Sequence, residues 1–192
     1  MPNEIKSIEA ARGVGNLAFY RMCAEYPNHD DREIIWDKII FISRVYSVSR
    51  GLGGEWEALA KAIQRKGTKL DAKIADARRL PFLRSIETVI ETHAYLDRIV
   101  CKTLDSAGNV ANGRASFVSK YLHFHAPDAF PILDTLAWAA LKQLTPGFRT
   151  AIEQPTPYAR FCERFAHLMR AERLEKTSLR HIDHRLLALA RR

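Results

Sequence analysis

The stretch FLRSIETVIETHAYLDRIVCKTL, residues 82–104, decides the fold class. Its apolar residues Leu83, Ile86, Ile90, Leu96, Val100 and Leu104 fall mostly three or four apart, the spacing of one helix face. Pro81 bounds it upstream, because its ring stops a helix running in over 69–80. Working outward, the same period recurs on both sides. Upstream, helices are predicted over 4–25, 32–48, 55–66 and 69–80. Ile35, Ile39, Ile42, Val45 and Tyr46 form the stripe of the second, and Asp30 or Asp31 caps it. The run Ile39-Ile40-Phe41-Ile42 also reads as a buried strand, but helical spacing continues on either side. Downstream, helices are predicted over 115–125, 135–144 with Asp134 as N-cap, 157–175, and 179–190 with Ser178 as N-cap. No run alternates as a half-buried strand does, so the predicted fold class is all-α. The chain reads as one helical domain over 1–192. The glycine cluster at 51–54 and Pro81 are the two places where a boundary between two lobes sharing a cleft fits.

Composition narrows the function. The 192 residues carry 30 Lys+Arg against 22 Asp+Glu, a formal net charge of +8. Such a balance favours an anionic partner, DNA first and an acidic membrane surface second, with solubility as the plain alternative. No apolar run approaches the roughly 18 residues of a membrane span. The opening MPNEIKSIEAARG holds no apolar core of a secretory signal. Cys23, Cys101 and Cys162 lie far apart and form no CxxC pair, which points to a reducing cytoplasm and excludes a four-cysteine cluster.

The densest chemistry lies in GNVANGRASFVSKYLHFHAPDAFPILDTLAWAAL, residues 108–141. Asn112-Gly113 precedes a helix, where outward N–H groups favour a phosphate and glycine allows close approach. Arg114, Ser116, Ser119 and Lys120 add side-chain donors near the same end, an arrangement that holds a nucleic-acid backbone without reading sequence. A plain glycine turn with solvated charges is the alternative. Asp134 ends the run PILD and is held by its proline. An anion there is electrostatically comfortable, and in a cleft it stabilises a sugar cation as a glycosidic bond breaks. The alternative is an N-cap alone. Lys120 shares a face with Ser116, His123 and Phe124, where an amine among aromatics can attack a sugar carbon or simply contact phosphate. His123 and His125 are two apart and lack the spacing of a helical zinc pair, so no metal site and no cofactor are predicted.

At these residues the chain resembles the helix-hairpin-helix DNA glycosylases, in particular the 8-oxoguanine-glycosylase-like branch. The resemblance covers about residues 90–142. It implies two helices flanking a phosphate-binding hairpin, a lysine on the second helix in bifunctional members, and a proline-containing loop leading to an Asp that assists cleavage. Here the second helix is ASFVSKYLHFH, the loop APDAFPIL, and the Asp is Asp134. The hairpin reads VANGRAS, with one glycine of the family's pair. Anchoring on Pro127 puts Arg114 at the family's lysine position, and anchoring on Asp134 puts Ser116 there. Lys120 stands about one helical turn nearer Asp134. The resemblance implies a DNA partner and either Asp134-directed hydrolysis or a lysine mechanism.

Two further segments look like signatures without a stated chemistry. They are KIIFISRVYSVSRG, with Arg44, Tyr46, Ser47 and Arg50, and SLRHIDHRLLAL, with Asp183 between two histidines. Trp36 or Tyr46 can stack on an extruded base, His123 can line its pocket, and core packing is the alternative for each. Three other functions remain open. One is a non-catalytic helical nucleic-acid-binding module. Another is a helical ribonuclease or toxin-like protein using Arg160 and His167. The last is a protein-interaction bundle.

Overall fold

The structure, a computed structural model, describes residues 2–46, 54–106, 114–153 and 155–191, with side chains from residue 13 onward except residue 14. These residues form helices and no strand: α1 (Pro2–Glu25), α2 (Arg32–Val45), α3 (Trp56–Gln64), α4 (Gly67–Arg78), α5 (Phe82–Ser106), α6 (Arg114–His125), α7 (Thr135–Leu144), α8 (Pro157–Ala171) and α9 (Leu179–Ala190). The fold is all-α, as the spacing of apolar residues predicts. Among the described residues no helix is long and apolar enough to cross a membrane.

Local chemistry sets the helix starts. Asp31 accepts from the amides of Glu33 (2.8 Å) and Ile34 (3.3 Å), Asp134 from Leu136 (2.8 Å) and Ser178 from His181 (3.3 Å). Thr156, not singled out by sequence, caps α8 through the amide of Ala159 at 3.1 Å. Among the boundaries that differ from expectation, three stand out. The helix read as 69–80 begins at Gly67, where the chain meets the 26–31 connection: a Cβ on Gly67 would stand 2.3 Å from the His29 carbonyl oxygen. His29 is clamped to α4 there by a ring hydrogen bond to Asp71 and by its own amide, 3.2 Å from the second carboxylate oxygen. The helix read as 157–175 stops at Ala171, and Arg173 takes φ 56°. The helix read as 32–48 ends at Val45 with Tyr46 as C-cap; residues 47–48 lie outside the described residues, as do Asn112 and Gly113.

Two helices form the centre. α5 packs against α3, α4, α6 and α8, and α6 against α1, α2, α5 and α8. One apolar cluster runs from Phe19 on α1 to Leu186 on α9. A helix buried on all sides is ordinarily apolar all round. α6 departs from this, since Ser119, Lys120, His123 and His125 are all buried within it. Burying a polar group without a hydrogen bond is costly, so partners matter. Ser119 Oγ accepts from the amide of Leu133 at 3.0 Å and donates to the Ser116 carbonyl at 3.0 Å. His123 Nδ1–H donates to the Phe130 carbonyl at 2.8 Å. These bonds tie the 126–133 loop to α6, and that loop delivers Asp134.

Candidate active site

A cleft of about 480 Å³ opens beside the middle of α6. Tyr20 and Asn16 line it from α1, Tyr46 from the end of α2, Lys120 and His123 from α6, Asp134 from the cap of α7, and Arg180, Asp183 and His184 from α9. Its volume lies in the range of small-molecule sites.

Lys120 is the centre of the arrangement. Its Nζ donates to Ser116 Oγ at 2.6 Å, lies 3.9 Å from Asp134 Oδ2, and sits 5.7 Å from the Tyr46 ring centroid. The Tyr46 hydroxyl donates to Asn16 Oδ1, which fixes the ring. Burial pushes the Lys120 amine below the ordinary lysine range, while Asp134 and Asp183 push it back up. The net shift is downward, which eases loss of the proton to give the form that can act as nucleophile or base.

His123 is held in one tautomer. Nδ1 carries its proton toward Phe130, so Nε2 accepts from the Tyr20 hydroxyl at 2.6 Å. Burial pushes the imidazole down to about 4, so it is neutral at pH 7. Arg180 lies 4.9 Å over the Tyr20 ring and supplies a cation at the cleft wall.

Asp183 is the residue whose chemistry the sequence did not assign. It is 8% exposed on α9, and its carboxyl is pushed up to about 7, first by burial and then by the charge of Asp134, against Lys120 and Arg180. One signal for it was legible. Asp183 is four residues from Leu179 and three from Leu186, so it interrupts the buried stripe of its own helix. A carboxyl group that keeps its proton to about pH 7 can act as an acid near neutrality. The raised value has a sign. Between about 4 and about 7 the native state binds more protons at Asp183 than the unfolded chain does, so this group's contribution falls as pH rises through that window. The Asp183→Asn variant is expected to be more stable than the parent at pH 8, by roughly 1–4 kcal/mol in urea unfolding. Any proton transfer that uses Asp183 is expected to lose its alkaline limb near pH 7 in this variant; a limb kept in the variant would remove Asp183 from proton transfer.

No protein-family model, curated protein or solved structure matches this chain. The site therefore stands on its geometry.

The residues singled out by sequence divide clearly. Asp134, Lys120, Ser116, Tyr46 and His123 converge on the cleft or on a residue in it. Ser119 is fully buried and braces the loop before Asp134, so it is not placed to meet a nucleic-acid backbone. Arg114 is 8% exposed and turned back on the end of α5, with Asp105 at 2.9 Å and the Cys101 carbonyl at 3.4 Å. Its charge is engaged by that pair, a contact between α5 and α6 that sequence could not foretell. Trp36 is 41% exposed on α2 and does not line the cleft. Arg160 and His167 are both exposed on α8, and neither lines the cleft. Among the described residues no group of three His, Cys, Asp or Glu side chains is disposed to hold a metal ion.

Proposed function

We propose that this chain is a DNA glycosylase-like enzyme that extrudes a damaged or modified base and hydrolyses its N-glycosidic bond. The observation that carries the reading is the pairing of Lys120 with Asp134, Nζ to Oδ2 3.9 Å, in a cleft walled by Tyr20, Tyr46 and His123. In the helix-hairpin-helix glycosylases that the sequence resembles, a lysine and an Asp from successive helices work on one sugar. In this reading α5 and α6 are the paired helices of that element. The cleft is lined from α1 and the end of α2 and from the start of α7 and α9, which in this reading are its two walls.

The chemistry follows from charge. As the bond between sugar and base breaks, its electron pair leaves with the base and positive charge develops on the sugar. Asp134, fixed by its hydrogen bond to the Leu136 amide, stabilises that charge. Asp183 gives its proton to the departing base, and water adds to the sugar carbon and returns a proton to the site. Tyr46 and Tyr20 offer aromatic faces to the extruded base, whose unstacking is the energetic hurdle of such enzymes.

The test is incubation with oligonucleotides carrying oxidised, alkylated or bulky pyrimidine bases. Hydrolysis predicts released base and an intact abasic strand, with no adduct trapped by borohydride. A trapped adduct that disappears in Lys120→Ala would replace hydrolysis by a Schiff-base route. Binding with no release from any substrate would favour the non-catalytic module instead.

A further inference from the structure

We propose that a groove between α4 and α5, separate from the Asp134 cleft, binds the phosphodiester backbone of a nucleic acid. The groove is about 740 Å³. Arg65 and Lys66 line it from the turn between α3 and α4, Lys69 and Lys73 from α4, and Arg98 and Lys102 from α5. No Asp or Glu is among its lining residues. Lys69 to Lys73 and Arg98 to Lys102 are each one helical turn apart, so the cations stand in two rows at about 6 Å steps.

Six like charges in one trough repel one another, and a polyanion offsets that repulsion. An aromatic residue lines the groove beside the cations. The Tyr95 ring lies 5.6 Å from Lys69 Nζ and 5.9 Å from Lys73 Nζ, and its buried hydroxyl has no hydrogen-bond partner among the described residues. Lys73 has Glu91 at 3.8 Å, but that carboxylate is 72% exposed, and such surface pairs contribute little.

The groove suits a nucleic acid better than a lipid surface. Membrane-surface binding uses exposed apolar anchors beside the cations. The exposed large hydrophobics Leu17, Tyr26, Trp36, Leu80, Leu136 and Ile152 all lie outside this groove. α5 also separates the two sites. It turns Tyr95, Arg98, Ile99 and Lys102 to the groove, while His93 and Cys101 meet α6 through Ala115 (3.1 Å) and Arg114 (3.4 Å). The inference therefore stands whether or not the cleft cleaves a glycosidic bond.

The experiment is fluorescence anisotropy of the full chain with labelled single-stranded and duplex oligonucleotides of ordinary sequence, titrated across salt. The exposed pair Lys69→Ala with Arg98→Ala is expected to weaken binding at least tenfold. It should also lower the slope of log affinity against log salt by about 1.4 for a single strand and about 1.8 for a duplex, the contribution of two phosphate contacts. A pair on another face, Arg84→Ala with Lys176→Ala, removes the same charge and is expected to leave the slope near the parent's. Equal losses in both pairs, or no loss in the first, would overturn the groove. So would parent binding to phosphatidylserine vesicles, but not to oligonucleotides, that depends on Lys69 and Arg98. Groove-dependent binding by a parent that releases no base would uphold this site and end the glycosylase reading.

Discussion

The Asp134→Asn variant is expected to bind oligonucleotides within about twofold of the parent and to release base about 10²–10³-fold more slowly. Asparagine keeps the size of the side chain and an oxygen able to accept from the Leu136 amide, so the start of α7 survives. What it removes is the negative charge 3.9 Å from Lys120 Nζ, in a cleft where low dielectric magnifies each charge. In the proposed reaction the sugar becomes cationic only in the transition state, so loss of that charge acts there far more than on the ground state. Its neighbours respond as well. Asp134 is one of the charges that raise both Lys120 and Asp183, so the variant is expected to shift the alkaline limb of the pH profile downward. Single-turnover release measured from pH 5 to 9 reads both effects. A variant as fast as the parent would leave Asp134 as an N-cap and nothing more.

The second large effect is on stability in acid. His29, His93, His123 and His125 are all buried, and burial is the leading cause that pushes each of them below the ordinary histidine range. His93 and His123 are pushed down to about 4. His93 stacks on Tyr158 with ring centroids 3.8 Å apart, and a proton on it would place a charge inside the core. Between about 4 and 6.5 the unfolded chain binds these protons and the native chain does not, so stability rises with pH across that window. Each of these two histidines contributes up to about 3 kcal/mol that is lost as pH falls from 6.5 to 4. Asp183 works the other way over an overlapping range. The urea midpoint is therefore expected to fall steadily from pH 7 to pH 4.5, and to fall more steeply in Asp183→Asn, which lacks the opposing group. A midpoint flat across that range would show that the buried imidazoles take up protons without opening the core.

Legibility followed the range of the physics. Helix periods and caps are decided within about four residues by hydrogen bonds and by the face an apolar stripe presents. The caps Asp31, Asp134 and Ser178 and the long helix over 82–104 were accordingly readable from the chain. Errors of boundary came where a distant segment intervened, as at Gly67 beneath His29. The charge excess was readable as a total but not as a place. Arg114 proves to be paired with Asp105, and Arg164 donates to the Phe148 carbonyl at 3.0 Å. The clustered cations lie on α4 and α5, which no motif marked.

The candidate site is divided in the same way. Sequence alone determined that Asp134 opens a helix and that Lys120 lies on the helix before it. It offered Tyr46 as an aromatic that stacks on an extruded base and flagged the segment around Asp183 without a role. Only the tertiary structure decided that these four side chains line one cleft, because they come from α2, α6, α7 and α9, far apart in the chain. Their meeting depends on how α6 is buried among its neighbours and on the Ser119 and His123 bonds that fold the 126–133 loop back over it. Burial then changes what the residues are: a lysine lowered toward its free amine, a histidine held neutral and an aspartic acid that keeps its proton to about pH 7. Local sequence sets which side chains are present, while the depth at which packing holds them sets their chemistry.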